Sequence, residues 1–300
     1  MADVLVVGSI GLDTVETPFG KVREVLGGSA SYFALSASYF TKVKMVSIIG
    51  SDFPPEHLDR LRSKSIDVSG VEKVESKNFR WHGKYEGRMN SAITIATSLG
   101  AFGDFKPKIP ESFKKMKYVF LGNSNPNTQK TVLTQMERPN FVLLDTMNLW
   151  IENEYDALMD LIKGVHGICV NYEEALELAR ASNFGSVVSS LKDLGTKVLV
   201  IKKAEHGAVI AWGDKTFAIP TYPSIEVKDP TGAGDAFAGG FLGYIAKRES
   251  YTLTDLKFAL IYGAVMGSIT VENFGTKPLE MLNPAEIEKR FSKILEMISL

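Results

Sequence analysis

Three hundred residues with 45% hydrophobic side chains can bury one large core with a small appendage. The 34 basic and 35 acidic residues leave a formal net charge of −1, which excludes the electrostatic footprint of a nucleic-acid binder and leaves no block of like charge to serve as a docking tail. One cysteine, Cys169 in Gly167-Ile168-Cys169-Val170, permits no internal disulfide and reads as a small buried hydrophobe in a reducing compartment.

The chain opens directly on Val4-Leu5-Val6-Val7-Gly8 with no basic leader, and the longest apolar stretch, around 258–271, is too short and glycine-rich to span a bilayer. A cytoplasmic protein with no membrane partner is expected. Short apolar runs at 4–7, 43–49, 118–121, 141–144, 167–170 and 198–201 read as buried strands. Helical periodicity at 29–40, 56–64, 129–137, 155–162 and 173–181 falls between several of them. Alternation of this kind predicts an α/β fold, a mostly parallel sheet covered on both faces, with ligands at the carboxyl ends of its strands.

Two stretches break the alternation, at about 10–27 and 74–97. In the second, Phe79-Arg80-Trp81-His82-Gly83-Lys84-Tyr85 alternates apolar and polar residues, and Ile93 and Ile95 keep a similar beat. Both are expected to pair into a small antiparallel sheet projecting from the main body. Further on, 208–212 and 216–219 flank Gly213-Asp214, a two-residue hairpin signal. Three helices follow: one from Ala233, one at about 254–270, and one opening at Asn283-Pro284 with Asn as N-cap and Pro at the first helical position.

The densest chemistry is in Asp229-Pro230-Thr231-Gly232-Ala233-Gly234-Asp235. Two glycines at a helix start let the backbone approach a ligand, and the first amides of a helix have no partner inside it. With the positive end of the dipole they make a seat for phosphate or a developing oxyanion. Asp235 beside that seat either complements the dipole or accepts the proton of an attacking hydroxyl. Gly239 and Gly240, inside the helix, each cost roughly 1 kcal/mol relative to Ala, so close packing or ligand approach is expected there.

The run D-P-T-G-A-G-D-A-F-A-G-G resembles the C-terminal signature of the ribokinase (PfkB) family of carbohydrate and nucleoside kinases. That resemblance implies a ribokinase-like three-layer α/β/α domain over residues 1–300, its central sheet mostly parallel and its two excursions forming a small β-sheet lid. It implies Asp235 as catalytic base and the amides of Gly232, Ala233 and Gly234 as the anion hole. Gly27-Gly28-Ser29, a second glycine-rich helix start, resembles the pair lining the sugar site, and otherwise reads as a plain turn. Asp13 is either a solvated turn residue or the carboxylate that grips a vicinal diol. In the family an Asn-x-Asp pair does this, and here Gly11 replaces the Asn.

Asn171 with Glu174 three residues on makes a capping-box spacing. The same spacing matches the family's N-x-x-E motif, implying that Asn171 and Glu174 order the nucleotide phosphates and, through water, Mg²⁺. Lys202-Lys203-Ala204-Glu205-His206-Gly207 falls where the family turns near the nucleotide. The resemblance implies ATP contacts from Lys203 and Gly207, Ala204 stands where a glycine is frequent, and sequence alone leaves open which lysine points inward. Gly263, Gly267 and Asn273 fall where the family forms its adenine pocket, the glycines equally fitting close helix packing. Asp229 and Thr231 match ligands of a monovalent cation in related kinases, implying K⁺ activation. Asp145, Asn148 and Asn123, after strands, are further crevice candidates. No G-x-x-x-x-G-K-[ST], G-x-G-x-x-G after the first strand, or H-E-x-x-H occurs. The reading is an ATP-dependent kinase of a primary hydroxyl on a sugar or ribonucleoside, with a catalytically silent binding protein as the alternative. Phe79, Trp81, Tyr85 and Phe33 could stack on a base, or could form core or the seam of a homodimer through the lid.

Overall fold

The computed structural model describes residues 2–193, 195–224 and 226–299. The chain begins with β1 (Val4–Val7), β2 (Gly11–Thr17), β3 (Gly20–Gly27), α1 (Ser29–Ala37), β4 (Val43–Gly50), α2 (Pro55–Ser63) and β5 (Ile66–Val74). It continues through β6 (Phe79–Lys84), β7 (Ile93–Ser98), β8 (Tyr118–Leu121), α3 (Pro126–Gln135), β9 (Phe141–Leu144), α4 (Asn148–Asn153) and α5 (Tyr155–Ile162). Next come β10 (Gly167–Asn171), α6 (Tyr172–Leu178), α7 (Phe184–Asp193), β11 (Val198–Lys202), β12 (Ala208–Trp212) and β13 (Lys215–Ile219). The last elements are α8 (Ala233–Arg248), α9 (Leu253–Thr270), α10 (Lys277–Glu280) and α11 (Pro284–Ile298).

Among the described residues, nine strands form one sheet in the order β13-β12-β11-β10-β9-β8-β1-β4-β5. Neighbours from β11 to β5 run parallel, and β12 and β13 add an antiparallel edge. The run Val4-Leu5-Val6-Val7 is buried throughout because helices cover both faces of a parallel sheet. Period-two alternation divides the core. Val4, Val6, Phe120, Cys169, Val198 and Val200 pack in the cluster that holds α1, α8 and α9 residues. Leu5, Val7, Val119, Leu121, Ile168 and Val170 belong to the opposite cluster.

The glycines inside α8 have a packing cause. A β-carbon at Gly239 would lie 2.5 Å from the Phe33 carbonyl oxygen of α1, and one at Gly240 would lie 2.7 Å from the Tyr262 carbonyl oxygen of α9. Ser36 Oγ donates to the Ala236 carbonyl across the same contact at 2.6 Å. The helix is wedged between two neighbours at backbone distance, and this fixes where its first turn points.

The second sheet has the order β3-β2-β6-β7. It is mixed rather than antiparallel as expected: β2 and β6 run parallel, from Gly11↔Phe79 to Glu16↔Lys84. Both excursions leave the main sheet at the carboxyl ends of its strands and travel the same way, so their first strands pair side by side. Asn78, fully buried, ties the two exits together. Its Oδ1 accepts from the Gly50 amide at 3.0 Å and its Nδ2 donates to the Ile10 carbonyl at 3.1 Å. Of the alternatives open for the aromatics, Phe33 takes the core one. Phe33 is a core residue, stacked on Phe120 with ring centroids 4.1 Å apart, because a Phe at the fifth position of α1 faces the sheet. The strand β5 and the helices α4, α7 and α10 lay outside the sequence expectations.

Candidate active site

The first turn of α8 sits at the carboxyl edge of the main sheet, under the lid. Gly232 is its N-cap with φ +74°, a left-handed conformation that glycine adopts without penalty. A side chain at Gly232 would also overlap the Tyr32 ring. The Ala233 amide donates to the Pro230 carbonyl at 3.2 Å. That leaves the amides of Gly232 and Gly234 without an acceptor among the described residues, so two of the three expected anion-hole donors remain available. Asp235, in the same turn, is partly buried. Burial first, then the charges of Asp145, Asp13 and Glu174, push its carboxyl up to about 8 against the opposing pull of Lys202.

Lys202 is the residue that sequence left undecided. It ends β11 opposite Asn171 of β10, and its Nζ lies 3.5 Å from Asp145 Oδ1. A β-carbon at Gly234 would come within 2.8 Å of the same Nζ. The signal was available: extending the 198–201 strand by one residue puts Lys202 on the face of Val198 and Val200, which is the α8 face. Burial opposes its charge, yet Asp145, Glu174 and Asp235 outweigh it and hold the ammonium above the ordinary lysine range. Burial raises Asp145 as well, Lys202 pulling it back. Lys203 faces elsewhere, its Nζ 5.4 Å from the Tyr172 ring centre.

Asp13 is 3% exposed. A side chain at Gly27 would overlap its carboxylate, so the glycine makes room for the acid. Burial and the charge of Asp229 push Asp13 up to about 7, and a Gly28 amide bond lowers it in part. A β-carbon at Gly11, the position without the family's Asn, would meet Phe79 Cδ1 at 2.8 Å, so an aromatic edge takes that space. Ser29 exchanges hydrogen bonds with Ser9 through both side chains and both amides and knits α1 to the end of β1. Asn171 and Glu174 form the complete capping box, each contact 2.8 Å. Burial pushes Glu174 up to about 7, Lys202 opposing and Asp145 adding to it.

Asp229 is 1% exposed. Its oxygens accept from the Thr231 amide and the Gly275 amide, both at 2.9 Å, and burial raises its carboxyl. Thr231 Oγ1 and the hydroxyl of Tyr85, from the lid, are 3.3 Å apart. The lid is therefore closed onto the start of α8 through Tyr85, a contact that sequence did not signal. Tyr32, 1% exposed, has a hydroxyl with no hydrogen-bond partner among the described residues. Gly207 has φ +83° and closes a tight turn in which the Lys203 amide donates to its carbonyl at 2.8 Å. Gly263 packs against the Phe237 ring at 2.9 Å from an added β-carbon, the helix-packing reading. Asn273 is exposed just beyond α9. Asn123 bonds Trp150 Nε1 at 2.9 Å and so supports α4.

A helix start with two free amides, a carboxyl beside it and a second buried carboxylate under a lid, at the carboxyl edge of a parallel sheet, is an arrangement that suits phosphoryl transfer in an α/β protein. The comparisons agree. A model described as pfkB family carbohydrate kinase matches residues 1–281. A cytidine kinase of Thermococcus kodakarensis is 32% identical over 256 residues, covering 81% of this chain and 89% of its own. A nucleoside kinase of Methanocaldococcus jannaschii is 25% identical over 259 residues, covering 85% and 82%. A solved nucleoside kinase of Burkholderia thailandensis, in complex with ADP-inosine, superposes with a TM-score of 0.82 at 22% identity over 98% and 96% of the two chains. The chain belongs to the PfkB family of carbohydrate kinases. It is an ATP-dependent phosphotransferase of small-molecule sugar or nucleoside acceptors, with a ribokinase-like fold. Among the described residues no helix is long and apolar enough to cross a membrane.

Proposed function

We propose that the protein is a ribonucleoside kinase that transfers the γ-phosphoryl group of ATP to a primary hydroxyl of the ribose. The observation that carries this is the buried carboxylate of Asp13, given room by Gly27, on the same side as the α8 start that bears Asp235 and is met by Tyr85 of the lid. Asp13 accepts hydrogen bonds from ribose hydroxyls, and Phe79, packed on Gly11, gives the acceptor side an aromatic wall suited to a base. The relatives' names, cytidine kinase and nucleoside kinase, support the same acceptor.

Asp235 orients the attacking hydroxyl and takes its proton, while the Gly232 and Gly234 amides stabilise charge on the transferring oxygens. Asn171, Glu174, Gly207 and Asn273 surround the nucleotide on this reading. Among the described residues no cluster of three or more acidic, His or Cys side chains could hold a metal. The hard carboxylate of Glu174 beside the crevice fits Mg²⁺ carried mainly by phosphate oxygens and water. When bound, it neutralises charge on the phosphates. Each oxygen of Asp229 accepts one amide and keeps a lone pair, which supports K⁺ held with Thr231. Equal rates in potassium and tetramethylammonium buffers would remove that ion. Ile93 and Ile95 on the edge strand β7 are 53% and 51% exposed, supporting a homodimer through the lid, which sedimentation tests. The chain works in the cytoplasm on this reading, where ATP is supplied.

The test is ADP release across a panel of ribonucleosides and free sugars. Turnover with a ribonucleoside and little with sugars is expected. Turnover confined to sugars refutes the acceptor, and tight binding without turnover supports the silent binder.

A further inference from the structure

Besides Tyr85 on Thr231, the lid meets the main body at a second place, just beyond α9. Val15 of β2, with Tyr85 and Met89 beyond β6, forms a small buried apolar cluster of its own. Val22 and Trp81 of the lid pack on it, and so do Val227 and Phe274 of the main body. Phe274 is half-buried, and its ring reaches the β2–β3 turn, where a β-carbon on Gly20 would lie 3.9 Å from Cε2 and Cζ. One residue on, a β-carbon at Gly275 would lie 3.2 Å from Val25 Cγ2 of β3. The segment is also laced to the stretch ahead of α8. The Gly275 amide donates to Asp229 Oδ2 at 2.9 Å, and the Lys228 and Asp229 amides donate to the Val271 carbonyl at 2.7 and 3.1 Å. Asn273, exposed, accepts the Phe274 amide on its own Oδ1 at 2.9 Å. Consecutive residues thus carry a free polar side chain and the aromatic on which the lid rests.

We propose that Phe274 is a positioning residue that couples nucleotide occupancy to lid closure. A crevice covered by a lid has to open for acceptor and product to pass. Nucleotide held at Asn273 orders residues 271–275, and Phe274 then presents the surface on which Val22, Trp81 and the β2–β3 turn settle. This rests on the reading of Asn273 as a nucleotide contact. A ligand shifts a lid only through a difference in its interaction with the open and closed states, and the contacts of Phe274 with the closed lid supply that difference. The coupling is reciprocal, so the closed lid tightens nucleotide binding by the factor with which nucleotide favours closure.

The experiment uses the full chain with ADP alone, reading the amides of β2, β3 and β6 by hydrogen exchange and ADP affinity by calorimetry. In the wild type, ADP is expected to slow lid exchange by at least about fivefold, the low end of a coupling between sites. In Phe274→Ala, ADP is expected to change lid exchange by less than about twofold, and ADP affinity to fall by the same factor as the protection lost, because linkage makes the two equal. Phe274→Leu, which keeps an apolar contact, retains part of both. Lid protection by ADP that survives in Phe274→Ala, no protection in the wild type, or an affinity loss unmatched by lost protection overturns the proposal. If the Ala variant does not fold, Val22→Ala removes the lid's side of the contact, leaves 271–275 intact and is expected to lower the protection likewise; unchanged protection there overturns the proposal too. No acceptor enters the measurement, so a wrong acceptor class leaves the result as it stands. A wrong placement of the nucleotide shows separately, as Asn273→Ala with unchanged ADP affinity, and that result removes the proposal together with the placement.

Discussion

Replacing Asp235 with Asn should make the protein more stable, and increasingly so as pH rises. The carboxyl titrates at about 8 against a reference of 3.8. Between those values the folded protein binds more protons than the unfolded chain, so this group makes stability fall as pH rises through the window. Asparagine does not titrate. The difference between variant and wild type is therefore near zero below pH 4 and complete above pH 8. At about 1.4 kcal/mol per unit the shift sets a ceiling of about 6 kcal/mol. Because Asp235 is only partly buried and Lys202 retains Asp145 and Glu174 as partners, a gain of about 1–3 kcal/mol is expected. For a chain of this size that raises Tm by roughly 2–8 °C. Differential scanning calorimetry from pH 5 to pH 9 reads it directly. A variant less stable than wild type at pH 9, or an offset that ignores pH, would refute the argument that burial strains this acid.

Acceptor kcat/KM should fall as pH drops below about 8 and steepen below about 7, because Asp235 and then Asp13 take up protons; a flat profile from pH 6 to 8.5 would count against both assignments. Gly232→Ala should cost about 2–4 kcal/mol from the left-handed backbone and the overlap with Tyr32, seen as a lower urea midpoint, and a change under about 0.5 kcal/mol would contradict it. Ala204 has φ +47°, so Ala204→Gly should gain about 0.5 kcal/mol by relieving a strained residue, and a lower Tm would dispute that strain.

Much of the sheet was legible because parallel strands buried on both faces leave unbroken apolar runs, as at 4–7, 118–121 and 141–144. The Asn171 and Asn283 caps were legible because capping is local chemistry. The edge strand β5, half polar in Ile66-Asp67-Val68-Ser69, has no such run. Neither the parallel β2–β6 pairing nor Tyr85 meeting Thr231 could be read, since both join segments far apart in sequence through the lid's orientation. Gly239 and Gly240 drew attention correctly, yet whether helix or ligand approached them was decided only by Phe33 and Tyr262 on neighbouring helices.

The most direct measurement is single-turnover transfer from radiolabelled ATP to a ribonucleoside by wild type and Asp235→Asn, with ATP affinity measured on both. A fall in transfer of at least about 10²-fold, with ATP affinity kept within a few-fold, is what a proton-accepting Asp235 beside the Gly232 and Gly234 amides requires. Transfer at near wild-type rate by the Asn variant would contradict it.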